Sequence, residues 1–162
     1  MPTDPRQKLQ KLLERFSQAM LVTRTADGHL RARPMALADV DEAGDLWFAT
    51  ARDSTKIEEI HFDRNVCVTF QDSSHYLSVG GLARCETDRD RIDELWQETW
   101  RIWYPNGKDD PALTLLVVEA HTGEYWDNSS VEGLKYLFNA GKALLSGERI
   151  EIDPEQHHKV AL

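Results

Sequence analysis

Cysteine is scarce in this chain: its 162 residues hold only Cys67 and Cys85. Two thiols cannot build a disulfide framework, and they fall short of a structural zinc set. Cys67 lies in the apolar run Val66-Cys67-Val68, so it is expected as a small buried hydrophobe. Cys85 lies on another strand as its candidate neighbour, and both are expected as free thiols. Long hydrophobic runs are missing as well; nothing approaches the roughly 20 apolar residues that span a bilayer. The opening Met1-Pro2-Thr3-Asp4-Pro5-Arg6 lacks the apolar region of a cleaved signal, and the expected location is the cytoplasm. Positive charge is in deficit, with 19 Lys and Arg against 28 Asp and Glu, a net charge of −9. That balance disfavours nucleic acid and anionic membranes, which need a cationic footprint. It leaves room for a small anion, which feels only the local field. No Gly-x-Gly-x-x-Gly follows a strand, which argues against a dinucleotide-binding fold, and no Gly-x-Ser-x-Gly hydrolase element is present. The six histidines form no metal-ligand spacing. His61 and His75 are expected as satisfied surface or core residues, and His157-His158 as exposed residues of the tail.

What is present describes one globular domain. A hydrophobic share of 41% and a charged share of 29% are ordinary values, and a chain this long buries about two-thirds of its unfolded surface. Thr3 or Asp4 caps a first helix, with Pro5 at its favoured first position and Leu9, Leu12, Leu13 and Phe16 as its apolar stripe. Strands are expected over Ala19 to Thr25 and His29 to Val40, joined by the Asp27-Gly28 turn, and over Leu46 to Thr50 after Asp41-Glu42-Ala43-Gly44. Pro34 interrupts the second strand and should lie at an edge or a bulge. Asn65 to Gln71 and Tyr76 to Glu86 read as the fourth and fifth strands, with Gly80-Gly81 marking a bulge. Thr87 and Asp90 form a capping box for a helix carrying Ile92, Leu95, Trp96, Thr99, Trp100 and Trp103. Leu113 to His121 is the sixth strand. Asn128 to Ser130 cap a last helix, with Leu134, Leu137 and Phe138 on one side, that stops near Gly147. Six short strands with helices set between them predict a mainly β fold with flanking helices, a small six-stranded barrel. One domain spans 1–147, and a polar, loosely held tail spans 148–162.

The chemistry concentrates in Arg33-Pro34-Met35, Leu46-Trp47-Phe48-Ala49-Thr50 and Ser54-Thr55-Lys56. Asp53 or Ser54 caps a helix that shows Ile57 and Ile60 to the core. Backbone N–H groups, the Ser54 and Thr55 hydroxyls and the Lys56 ammonium then converge at one helix N-terminus, a setting for a phosphate monoester. Beside it the Arg-Pro-Met strand and its aromatic neighbour offer a surface for a flat ring. A phosphate clamp next to a ring platform is what a mononucleotide such as FMN requires. Alternation puts Trp47 and Ala49 on one face and Phe48 and Thr50 on the other, and either face could hold the flavin. Arg31 and Arg33 share a face. Asp109-Asp110, before Pro111, reads as a loop-shaping pair rather than as paired acid/base carboxylates.

These three elements resemble the flavin-binding segment of the FMN-binding split-barrel proteins, the relatives of pyridoxamine 5'-phosphate oxidase. A second segment, Trp103-Tyr104-Pro105-Asn106-Gly107-Lys108-Asp109-Asp110-Pro111 followed by Leu113 to Glu119 and Glu124-Tyr125-Trp126-Asp127, is similar to the bacterial general stress branch of that superfamily. The resemblance spans most of residues 6 to 145. It implies a split barrel, a homodimer and two FMN molecules at the subunit interface. It places the Pro34 and Met35 backbone against the isoalloxazine ring, Trp47 to Thr50 along the ring or ribityl chain, and Arg33 on flavin or phosphate. Ser54, Thr55 and Lys56 would hold the phosphate. Gln71 stands where related oxidases carry a polar flavin contact, and Trp126 would approach the flavin from the partner subunit; Trp103 and Trp126 could equally be core or interface aromatics. The implied function is a flavin-dependent oxidoreductase using a nicotinamide donor or a small organic substrate. The alternatives are a non-catalytic flavin binder that buffers or senses flavin and, with less support, a haem or deazaflavin protein. Pyridoxamine phosphate oxidation itself is not expected: the C-terminal Arg-x-His element is missing, and Thr55-Lys56 replaces two adjacent basic residues.

Overall fold

The computed structural model describes residues 4–129 and 157–162. Asp4 accepts a hydrogen bond from the Arg6 backbone N–H at 3.2 Å, and Pro5 opens helix α1, Pro5–Leu13. Leu9, Leu12 and Leu13 of α1 are buried, and Phe16, just past its end, packs 5.5 Å from Phe70. Then follow β1 (Gln18–Arg24), β2 (Leu30–Val40), β3 (Leu46–Ala51), α2 (Thr55–Phe62), β4 (Asn65–Gln71), β5 (His75–Glu86), α3 (Arg89–Leu95), β6 (Leu113–Asp127) and β7 (His157–Ala161). Neighbours run β3-β2-β1-β4-β5-β6, and β3 also pairs with β6. That last pairing closes a six-stranded antiparallel barrel, as the strand pattern predicts, of the split kind that the family resemblance implies.

β6 is longer than the sequence suggested, and its length decides the architecture. Its first half pairs with β3 from Leu113 to Val118, and its second half pairs with β7 from Thr122 to Trp126. The polar C-terminus expected to be loosely held therefore ends in a strand. His157 and His158, expected to be exposed, are half-buried there. The last helix expected before it lies outside the described residues.

Along β6, successive side chains serve two cores. Leu116, Val118 and Ala120 point into the barrel with Leu21, Phe48, Val68 and Val79. Leu113, Leu115 and Val117 point outward under Trp47, Ile92, Trp100 and Tyr104. A strand covered on both faces reads as a continuous apolar run, which is how Leu113 to Val118 appears in the sequence.

The expected third helix is instead two short pieces. α3 is capped by Asp88, one residue after the expected Thr87, and ends at Leu95; Trp96 and Gln97 turn extended (ψ 133 at each) before a 3₁₀ turn over Glu98–Ile102. The break turns Trp100 inward, 4% exposed, and leaves Ile102 and Trp103 outside at 78% and 64%. A continuous helix would have placed all three tryptophans on one stripe. The Trp96 N–H donating to Glu98 at 3.0 Å helps hold the break.

One bulge lies at Gly80-Gly81, as expected; a second, between β2 and β3, lies past Pro34 rather than at it. β5 and β6 shift register between Gly80 and Gly81, with His121 of β6 as the extra residue. β2 and β3 shift between Leu37 and Asp39. Pro34 pairs only with β1, opposite Met20, because pairing with β3 begins at Leu37. The missing proline N–H thus costs no ladder hydrogen bond. Cys67 and Cys85 are free and not neighbours: Cys67 sits opposite Gly80 and Cys85 opposite Leu116.

His75 is a satisfied core histidine, as expected, with Nδ1 2.9 Å from Asp72 Oδ1. Nearby Asp127 is buried at the end of β6. Burial would raise its pKa, but the Ser129 hydroxyl at 2.6 Å and the Lys8 ammonium at 2.9 Å outweigh it and hold the carboxyl at about 2. A folded pKa below the unfolded value of about 3.9 means stability gained above that value and lost as pH falls toward 2. Acid titration of the wild type should show a loss on the order of 2 kcal/mol from this group, and Asp127→Asn should flatten the stability profile between about pH 4 and 2. An unchanged profile in the variant would mean the ion pair is spent against solvent.

Candidate functional site

The N-terminus of α2 faces a cluster built from three elements: β1, β2 and β3. Of the two candidate caps, the chain uses Ser54, with extended backbone (φ −74, ψ 144), yet its side chain makes no cap hydrogen bond. Instead the Ser54 Oγ is buried with no hydrogen-bond partner among the described residues. A buried hydroxyl without a partner costs about 1–3 kcal/mol, so the native protein has reason to supply one. The first N–H groups of α2, at Thr55 and Lys56, have no intrahelical acceptor, as at any helix start. Thr55 itself is exposed at the mouth of this corner.

Lys56 is half-buried and bends back so that its Nζ donates to Thr50 Oγ1 at 2.9 Å. Burial, and then the nearby Arg33 charge, lower the pKa of its ammonium, with Glu59 opposing in part. Two cations thus lie beside a helix start whose first N–H groups have no intrahelical acceptor, which makes the corner receptive to an anion.

Glu59 holds the second part of the site. It is a carboxylate on the buried side of α2, 6% exposed. Thr23 of β1 donates to its Oε2 at 2.5 Å, Arg33 Nη2 donates to the same oxygen at 2.6 Å, and Arg31 Nη1 donates to Oε1 at 3.0 Å. The Thr23 hydroxyl also accepts from Arg33 Nη1. Burial would raise the Glu59 pKa, but the hydrogen bonds from Thr23 and Arg33 and the two guanidinium charges hold it below the ordinary value. Arg31 and Arg33 lie two apart on β2 and so share a face, as the sequence suggested.

Consecutive residues of β2 link this corner to the outer sheet surface. Arg33 reaches Glu59, while Pro34 faces the other way, in a row with Met20 of β1, Thr69 of β4 and Ser78 of β5. Met35 returns to the barrel core, 7% exposed. A parallel row joins Gln71, Tyr76, Trp126 and His157 across four strands. Gln71 is exposed and Trp126 half-buried. The Trp126 ring stacks on His157 at 4.7 Å with 4° between planes, and His157 Nε2 lies 2.5 Å from Glu124.

The structure gathers Arg33, Thr50, Ser54 and Lys56 at one corner and places Pro34, Gln71 and Trp126 on the outer face. It does not bring the Trp47 and Phe48 rings to either. Phe48 is fully buried in the barrel. Trp47 lies in the outer core, its N–H donating to Asp41 at 2.9 Å and its ring under Arg91 at 4.4 Å. Ala49 packs with it. The expected alternation holds, with both rings committed to packing. Sequence reasoning missed Thr23 and Glu59. The available signal was an acidic residue between Ile57 and Ile60 on the buried side of α2, opposite two arginines at strand spacing.

The comparisons agree with the fold. Residues 4–151 match the family described as pyridoxamine 5'-phosphate oxidase like. A general stress family protein from Xanthomonas campestris pv. campestris is 32% identical, with a TM-score of 0.67, over 80% of this chain and 92% of that one. The general stress FMN/FAD binding protein from Xanthomonas citri is 31% identical, with a TM-score of 0.66, over 76% of this chain and 92% of that one. A general stress protein 26 from Jannaschia sp. CCS1, at 24% identity and a TM-score of 0.75, covers 99% of this chain and 100% of its own and shares the fold. No curated protein matches the chain. With the split barrel, the Arg-Pro-Met strand and the Ser-Thr-Lys helix start in place, the chain belongs to the pyridoxamine 5'-phosphate oxidase-like family, in its general stress branch.

Proposed function

We propose that this protein binds FMN as a homodimer and acts as a flavin-dependent oxidoreductase in stress physiology, other than on pyridoxamine phosphate. The observation that carries the reading is the buried, unpartnered Ser54 Oγ at the start of α2, beside Lys56 and Arg33. A terminal phosphate fits that set. It accepts from the Ser54 and Thr55 hydroxyls and the free N–H groups of α2, and it relieves the crowding of two cations. FMN, when bound, supplies the hydride and electron chemistry. The chain binds the phosphate, orients the ring against the outer face at Pro34, and excludes water where side chains pack. Met20 and Tyr76, at 39% and 44% exposure on that face, suit burial by a second copy; Gln71 lies on the same face, and Trp126 of the partner subunit would approach a ring held at Pro34. No described helix is long and apolar enough to cross a membrane, and two free thiols suit the cytoplasm.

A second reading, flavin binding without turnover, draws support from the same corner. Glu59 already serves Thr23, Arg31 and Arg33, so it is not free to move a proton. Titration of flavin-stripped protein with FMN, FAD and riboflavin, followed by flavin fluorescence, tests the core of both readings. FMN is expected to bind at least about tenfold more tightly than riboflavin, since each charge-assisted phosphate contact is worth about 1.5–3 kcal/mol. Equal affinities would sink the phosphate clamp. Reduction of bound FMN by a nicotinamide donor would then separate enzyme from binder.

A further inference from the structure

The buried carboxylate under the arginines does more than fill space. Glu59 is the one acidic side chain of α2 turned inward, and it lies three residues after Lys56, on the same helix face. It meets Arg31 and Arg33 through different oxygens, at 3.0 Å and 2.6 Å. Thr23, 1% exposed, ties the arrangement from a third element by donating to Glu59 and accepting from Arg33. Arginine binds an anion through a planar fork, so its value as a phosphate ligand depends on how well that fork is aimed. An unanchored Arg33 would lose rotamer entropy on each binding event. Here its side chain is 19% exposed and already fixed by two acceptors.

We propose that Glu59, with Thr23, is the positioning residue that aims Arg33 at the anion held by Lys56 and the α2 N-terminus. This rests on the phosphate-clamp reading above. Glu59 does not touch the ligand; it acts through Arg33. It also keeps a third cation from accumulating uncompensated, since Arg31, Arg33 and Lys56 face this single carboxylate.

Charge and aim predict opposite results, so two substitutions separate them. Glu59→Gln keeps the shape and one acceptor but removes the negative charge. Thr23→Val keeps the charge and removes the hydroxyl that bridges Arg33 to Glu59. The readout is the ratio of FMN to riboflavin affinity, because riboflavin lacks only the phosphate. A purely structural loosening lowers both affinities together and leaves the ratio where it was. The proposal expects the ratio to shrink about tenfold in Glu59→Gln and by a smaller factor in Thr23→Val, with riboflavin affinity unchanged. If Glu59 acted only as a counter-charge, Glu59→Gln would bind FMN more tightly and Thr23→Val would match wild type; that result overturns positioning. A wild-type ratio in both variants overturns it as well. If Glu59→Gln fails to fold, Thr23→Val alone decides between a reduced ratio and an unchanged one. Wild-type protein that does not distinguish FMN from riboflavin removes the clamp itself, and the proposal with it, a result distinct from wild-type discrimination that survives both substitutions.

Discussion

Replacing Lys56 with methionine will weaken FMN binding by roughly 10- to 100-fold and leave the apoprotein about as stable as before. Methionine matches the length and apolar stem of lysine, so packing around the helix start is kept. Only the charge and one hydrogen bond, to Thr50 Oγ1 at 2.9 Å, are lost. In the apoprotein that loss is offset, because burial and the Arg33 charge already work against the Lys56 ammonium. In the complex there is no offset: a charged donor to phosphate disappears from a half-buried corner, worth about 1.5–3 kcal/mol. Isothermal titration with FMN beside riboflavin reads the effect, since riboflavin should bind both proteins alike. The lowered pKa adds a pH signature with a definite sign. FMN affinity of the wild type should decline at alkaline pH before an ordinary lysine, near about 10.4, loses its proton, and Lys56→Met should lack that decline. Undiminished FMN affinity in the variant would move the phosphate elsewhere and return α2 to being an ordinary capped helix.

Gly81→Ala should destabilise the barrel by about 3 kcal/mol, a drop of roughly 10 °C in melting temperature for a domain of this size. A Cβ at Gly81 would stand 2.1 Å from the Glu119 carbonyl oxygen and 2.9 Å from its carbon. Both are backbone atoms of β6, so neither can turn aside as a side chain would. The bulge at Gly80-Gly81 bends β5 along β6 and lets one strand serve β3 with its first half and β7 with its second. Gly44→Ala supplies the control. Gly44 has φ +92 with open space around the missing Cβ, so its substitution should cost only about 1 kcal/mol of backbone strain. Thermal denaturation of the two variants side by side checks the ranking. Equal losses would show that β6 yields at Glu119, so that the close approach does not make glycine necessary in β5.

Much of the barrel is legible in the chain because its signals are local. Asp27-Gly28 and Asp41 to Gly44 mark turns by their backbone freedom, and both Gly28 and Gly44 take positive φ. Asp4-Pro5 starts α1 through a carboxylate and a fixed proline angle. Period-two alternation separates Phe48 from Trp47 before any fold is known, and the Arg-Pro-Met and Ser-Thr-Lys elements carry the family resemblance. What the tertiary structure alone decided are the contacts between distant segments. The β3–β6 pairing closes the barrel across the whole middle of the chain, and no local pattern states which strands will meet. β7 was hidden because its His-His-Lys start reads as solvated tail until β6 offers it an edge. α3 broke at Trp96 because Trp100 gains more from the outer core than from one more helical turn, a balance that periodicity cannot weigh. Glu59 looks like a surface acid on a polar helix, and only the approach of β1 and β2, bringing Thr23, Arg31 and Arg33, makes its burial favourable. Sequence determined which groups have the chemistry to meet an anion; the packing of distant strands determined which of them, Arg33 and Lys56, are held in place by hydrogen bonds.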